Sequence, residues 1–141
     1  MELRKLTDSL FVSGQIEPAE VPLLAAQGIR ALICNRPDGE SPEQPTAKAI
    51  EEAAAAHGIE IVYQPVVSSS ISDADVEAFG KALETLPGPM LAYCRSGTRC
   101  TILWALSEAG KRPLQDILLR TMRAGYDMSP IVSRLEQRQR T

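Results

Sequence analysis

The chain has 141 residues and a mass of 15.3 kDa, enough for one domain with its own core. Apolar residues make up 44% and charged residues 23%, a globular balance that excludes a disordered or membrane-embedded chain. A net charge of −3 offers no general attraction to nucleic acid or anionic membrane.

The charge is uneven. Residues 111–141 carry 7 basic against 3 acidic side chains, the pattern of a solvated helix face. The opening "MELRKLTDSL" lacks the apolar stretch of a signal peptide, so a cytoplasmic protein is expected. Three cysteines, an odd number, then imply reduced thiols rather than a disulfide framework. The single histidine, His57, precedes a glycine and reads as a helix-cap residue; no metal site and no cofactor are expected.

In chain order, "LFVSG" (10–14) reads as the first strand, with Leu10 and Val12 on one face. "EPAEVPLLAAQG" (17–28) predicts a short helix whose regularity Pro22 limits. "IRALICN" (29–35) predicts a buried strand, and "RPDGESPEQP" after it is turn chemistry. "TAKAIEEAAAAHG" (46–58) predicts a helix capped by Thr46, and "IEIVYQPVV" (59–67) another strand. "SDADVEAFGKALETLPG" (72–88) predicts a helix with Ser72 and Asp75 as a capping box and Val76, Phe79, Leu83 and Leu86 on its apolar face. "PMLAY" (89–93) is a short strand, "CTILWALSEAG" (100–110) a buried helix, and two helices close the chain from 113 to 140. The alternation predicts a single α/β domain over 1–141, with a mostly parallel sheet of about four strands flanked by helices.

The chemistry concentrates in "YCRSGTRC" (93–100), between the last strand and the buried helix. Ligands of open α/β sheets gather at the carboxyl ends of strands, where this loop falls. Gly97 permits a tight turn that can curl backbone N–H groups of residues 95–99 toward one centre, and the following helix aims its positive end there. A thiol at such a point favours the thiolate, which makes Cys94 the candidate nucleophile. Arg99 supplies a fork of donors for an oxyanion, with Arg95, Ser96, Gly97 and Thr98 as candidate anion-binding residues. Cys100 is a candidate resolving thiol, with burial in the first turn of the helix as the plainer role. Cys34 ends a buried strand, where it either nears the loop or packs.

"LFVSGQIEPAEVPLLAAQGIRALICNRPDGE" with "YCRSGTR" downstream resembles the bacterial family found fused to β-lactamase-like hydrolases, described both as phosphatase-like and as sulfurtransferase. The likeness runs over roughly residues 3–110 and is strongest in "SGQ", "NRPDGE" and "CRSGTR". It implies a cysteine-phosphatase-like fold of the dual-specificity type. The loop alone resembles that of rhodanese sulfurtransferases, where Cys-Arg-Ser-Gly-x-Arg is frequent.

Two chemistries follow. Phosphatase loops of this kind place five residues between cysteine and arginine, usually after a histidine; here four residues separate Cys94 from Arg99, and Tyr93 precedes the cysteine. A phosphatase also needs a general acid, for which Asp73, Asp75 and Asp38 are the candidates, although the first two read more simply as first-turn charges. Sulfur transfer needs no such acid, because the leaving sulfite or thiolate is already a stable anion. The sequence therefore favours a rhodanese-type sulfurtransferase working through a Cys94 persulfide, with a cysteine-dependent phosphatase as the alternative. A redox-sensing Cys94–Cys100 pair is the third reading. The partners implied by the first are thiosulfate or glutathione persulfide as donor, a thiol or cyanide as acceptor, and a persulfide dioxygenase that would consume the product.

Overall fold

The computed structural model describes residues 2–140. Its strands are β1 (Arg4–Thr7), β2 (Leu10–Ser13), β3 (Ala31–Cys34), β4 (Glu60–Tyr63) and β5 (Met90–Tyr93), joined in one sheet in the order β1-β2-β5-β3-β4. The run from β2 to β4 is parallel, and β1 closes one edge antiparallel to β2. The sheet thus has five strands rather than the expected four or so. The additional strand, "RKLT", buries only Leu6 and pairs with β2 across the short turn at Asp8 and Ser9. Such a half-charged edge strand lacks the apolar alternation by which a strand is read from sequence.

The helices are α1 (Val21–Ala26), α2 (Ala47–Ala55), α3 (Asp73–Thr85), α4 (Thr98–Glu108), α5 (Leu114–Arg123) and α6 (Val132–Gln139). The segment expected as one helix over 17–28 divides into a 3-10 turn at Pro18–Glu20 followed by α1. Pro22 has no N–H to donate, so a continuous α-helical ladder cannot cross that point. The capping residues are as read. Thr46 accepts from the Ala49 N–H at 3.1 Å, and Ser72 and Asp75 cap each other's backbone on α3. His57 is exposed and follows the C-terminal end of α2, before the left-handed Gly58. Among the described residues, no helix is long and apolar enough to cross a membrane.

Strand alternation divides the interior into two cores. Leu32, Cys34, Leu91 and Tyr93 face α1 and α2, where they pack with Ile16, Leu24 and Ile50. Val12, Ile33, Met90, Ala92 and Cys94 face the other side, against Phe79 of α3 and Leu103, Trp104 and Leu106 of α4. α4 is buried nearly all round because α5 and α6 cover its outer side through Ile117 and Leu135. Filling both faces of a parallel sheet needs apolar runs such as "ALIC" and "MLAY". The same period of two decides which way each cysteine points.

Candidate functional site

β5 runs up the middle of the sheet, between β2 and β3, so Cys94 emerges at the carboxyl edge with a strand end on either side. Its N–H meets the Ser13 carbonyl at 3.4 Å, and the Tyr93 carbonyl accepts from Asn35 at 2.9 Å. Gly14 passes so close that a Cβ there would lie 2.9 Å from the Arg95 carbonyl oxygen. The loop is therefore pressed between two strand ends. It closes at Gly97, whose φ of +93° begins α4 at Thr98, two residues before the expected start. Arg99 consequently lies in the first turn of that helix.

The Gly97 N–H donates to Cys94 Sγ at 3.1 Å. The Cys94 thiol is pulled down to about 5, first by the hydrogen bond of the Cys100 thiol, against the opposing effect of burial, and then by the N–H groups of Cys100, Ser96 and Gly97. Negative charge at Cys94 and complete burial hold Cys100 protonated, with burial the larger cause. A thiol pulled down in this way is what a candidate nucleophile at Cys94 requires. Thr101 does not reach the thiolate, because its hydroxyl donates to the Gly97 carbonyl at 2.8 Å. Cys34 lies in the other core, where its thiol donates to the Arg36 carbonyl at 3.4 Å and burial raises its pKa.

Around the thiolate, Arg95, Ser96 and Thr98 are exposed at the rim, with the Ser96 and Thr98 hydroxyls 3.1 Å apart. Arg99 is only 6% exposed and is held from two directions. Its Nη1 donates to Glu40 Oε2 at 2.7 Å and to the Val66 carbonyl at 2.9 Å, and its Nη2 donates to Glu40 Oε1 at 2.8 Å. Arg36, 4% exposed, donates to the same carboxylate at 3.0 Å and to Gln15 Oε1 at 3.1 Å. Glu40 is held down to about 2 by its bond to Arg99, with Arg36 adding to it against desolvation. The carboxylate between two guanidiniums fixes the plane of Arg99 by bonds to both of its terminal nitrogens.

The three candidate acids lie in other arrangements. Asp73 accepts from Arg134 at 3.1 Å and Arg138 at 3.2 Å; Asp75 caps α3; and Asp38 accepts from the Ala47 N–H at 2.8 Å. Sequence reading missed Glu40, Arg36 and Gln15, although all three sit in the pieces "NRPDGE" and "SGQ" that carried the family resemblance. It also missed Tyr126, whose hydroxyl donates to the Ser96 carbonyl at 2.9 Å. Among the described residues there is no cluster of three or more His, Cys, Asp and Glu side chains placed to hold a metal ion.

The family model for the phosphatase-like domain of β-lactamase hydrolase-like proteins matches residues 2–111, which include the whole loop and Glu40. The chain belongs to this family. A β-lactamase hydrolase-like protein of Xylella fastidiosa is 36% identical over 139 residues, an alignment covering 97% of this chain and 32% of that protein. The phosphatase-like chain thus spans about a third of the length of the curated relatives it matches. A solved structure of a candidate phosphatase from Neisseria meningitidis is 35% identical, covers 98% of this chain and 99% of its own, and superposes with a TM-score of 0.89. Tk-PTP in its active form, at 14% identity and a TM-score of 0.70 over 97% of this chain and 95% of its own, has the same fold. The cysteine-phosphatase-like architecture implied by the family resemblance over roughly residues 3–110 is the one found.

Proposed function

We propose that this domain is a thiolate-dependent sulfurtransferase. The Cys94 thiolate attacks the sulfane sulfur of a donor such as thiosulfate or glutathione persulfide. The donor's sulfur–sulfur bond breaks with its electron pair leaving on sulfite or thiolate, and Cys94 keeps the transferred atom as a persulfide. A thiolate or cyanide then attacks the outer sulfur, and the electron pair of the second broken bond returns to Cys94. No step requires a proton donor to the leaving group. The observation that carries this reading is the engagement of Asp73, Asp75 and Asp38 in caps and ion pairs, while the Gly97 N–H donates to Cys94 Sγ at 3.1 Å. The four-residue spacing from Cys94 to Arg99 also suits a single held sulfur better than a tetrahedral phosphoryl group.

A second reading, phosphate-ester hydrolysis through a phosphocysteine, is favoured by a different observation. Glu40 occupies the Nη1–Nη2 edge of Arg99, so the Nε–Nη2 edge is the one that an equatorial phosphoryl oxygen would use. The names of the solved relatives lean the same way and lend sulfur transfer no support. Intact mass after incubation with thiosulfate separates the two readings. Sulfur transfer predicts the gain of one thiol-labile sulfur on the wild type and none on Cys94→Ser. An unmodified protein that hydrolyses an aryl phosphate would overturn it in favour of the phosphatase.

A further inference from the structure

The N–H that reaches Cys94 Sγ belongs to the peptide group joining Ser96 to Gly97. The opposite end of that same group is the Ser96 carbonyl, which accepts the Tyr126 hydroxyl at 2.9 Å. A trans peptide points its C=O and N–H in opposite directions, so a hold on the oxygen sets the aim of the hydrogen. This peptide is also the one in the loop best able to rotate. Its rotation is absorbed by ψ of residue 96 and φ of Gly97, and glycine takes either sign of φ at little cost. A flipped group would turn the Ser96 oxygen toward the thiolate and repel it.

Tyr126 is itself firmly placed, in the turn that follows α5 and outside the segment matched by the family model. Its N–H donates to the Thr121 carbonyl at 2.9 Å. The Arg4 guanidinium lies 5.7 Å from its ring centroid and donates to the Ala124 carbonyl at 2.9 Å. Arg4 can cross this turn because residue 125 is glycine; a Cβ there would lie 2.6 Å from Arg4 Nη1. At the other end, a Cβ on Gly97 would run into the Tyr126 hydroxyl, so the two residues fit only as they are.

We infer that Tyr126 is a positioning residue for the Cys94 nucleophile, anchoring the Ser96–Gly97 peptide by its oxygen and so aiming and polarising the Gly97 N–H at the sulfur. Hydrogen bonds to opposite ends of one amide strengthen each other, so the hydroxyl acts on the thiolate without touching it. The inference rests on Cys94 being the nucleophile and holds for either electrophile, sulfur or phosphorus.

Tyr126→Phe removes the anchor and keeps the ring under Arg4. The rate of iodoacetamide alkylation at Cys94, followed by peptide mass spectrometry across the acid and neutral range, gives the thiolate midpoint in wild type and variant. Loss of one aiming hydrogen bond should raise the midpoint by roughly 0.5–1 pH unit. A lower melting temperature with an unmoved midpoint would reduce Tyr126 to a packing residue and overturn the inference. A wild-type Cys94 that titrates as an ordinary thiol would instead overturn the nucleophile reading on which it rests.

Discussion

Replacing Glu40 by Gln keeps the shape of the side chain and removes a charge from between two guanidiniums that are 4% and 6% exposed. Three charge-assisted hydrogen bonds of 2.7 to 3.0 Å converge on this carboxylate. The amide offers one oxygen in place of two, turns an N–H₂ toward a guanidinium, and leaves Arg36 and Arg99 repelling each other. Removing one member of a buried ion pair costs about 3–5 kcal/mol, and the 27% exposure of the Glu40 side chain reduces that to about 2–4 kcal/mol. At roughly 3 °C per kcal/mol for a domain of this size, the melting temperature should fall by about 6–12 °C. The sole tryptophan, Trp104, is buried in the central core, so its fluorescence reports global unfolding. The pH dependence supplies an independent check. Glu40 titrates at about 2 in the folded protein against an ordinary 4.5, so the native state binds fewer protons between those values. Its contribution is complete above 4.5 and disappears as pH falls through 2. Wild type and Glu40→Gln should therefore converge in stability as the pH is lowered across that interval. Equal melting temperatures at neutral pH, or a gap that does not narrow in acid, would refute the assignment.

Cys100→Ala removes the largest cause of Cys94 acidity, so the alkylation midpoint should climb from about 5 toward the ordinary 9, whereas Cys100→Ser keeps a donor and should stay nearer wild type. Because the folded value of Cys94 is the lower one, its thiolate stabilises the fold fully above 9 and progressively less toward 5; chemical denaturation of wild type and Cys94→Ala over that range should show the gap closing in acid. Asp73→Asn should leave turnover within about twofold of wild type and stability within about 1 kcal/mol, since Asp73 only pairs with Arg134 and Arg138 at the surface. A steady-state assay that loses most of its rate would restore Asp73 as an acid. Gly97→Ala combines a φ of +93° with a collision at Tyr126, and should lower the unfolding free energy by more than about 2 kcal/mol in urea titration.

What the sequence disclosed divides by distance along the chain. Ser72, Asp75 and Thr46 declare their caps because the N–H groups they bind lie three residues away. The Cys94–Gly97 contact is equally local, and the loop could be read as an anion cradle from six letters. Arg99 was visible as a cation but not as one already committed, because Glu40 is 59 residues distant and only the β3–β5 pairing brings them together. Within "NRPDGE" the turn-forming Asp38 drew attention, whereas the partner of the arginine is the glutamate two places on. Tyr126 had no signal, since one tyrosine among the closing helices is ordinary packing until a carbonyl is found against it. Strand β1 escaped for the opposite reason: its residues advertise solvent, and only its neighbour makes it a strand.

The position of β5 between β2 and β3 has one more consequence. The walls that shape the cysteine loop come from Ser13 and Gly14, Asn35, and Tyr126, so they meet only in the assembled sheet. In the unfolded chain Cys94 is an ordinary thiol, sluggish in acid. Its reactivity at low pH is therefore a built-in gauge of native structure at the centre of the domain. Because β5 is the central strand and packs into both cores, parting it from β2 and β3 amounts to global unfolding, and loss of that reactivity should track unfolding of the whole domain.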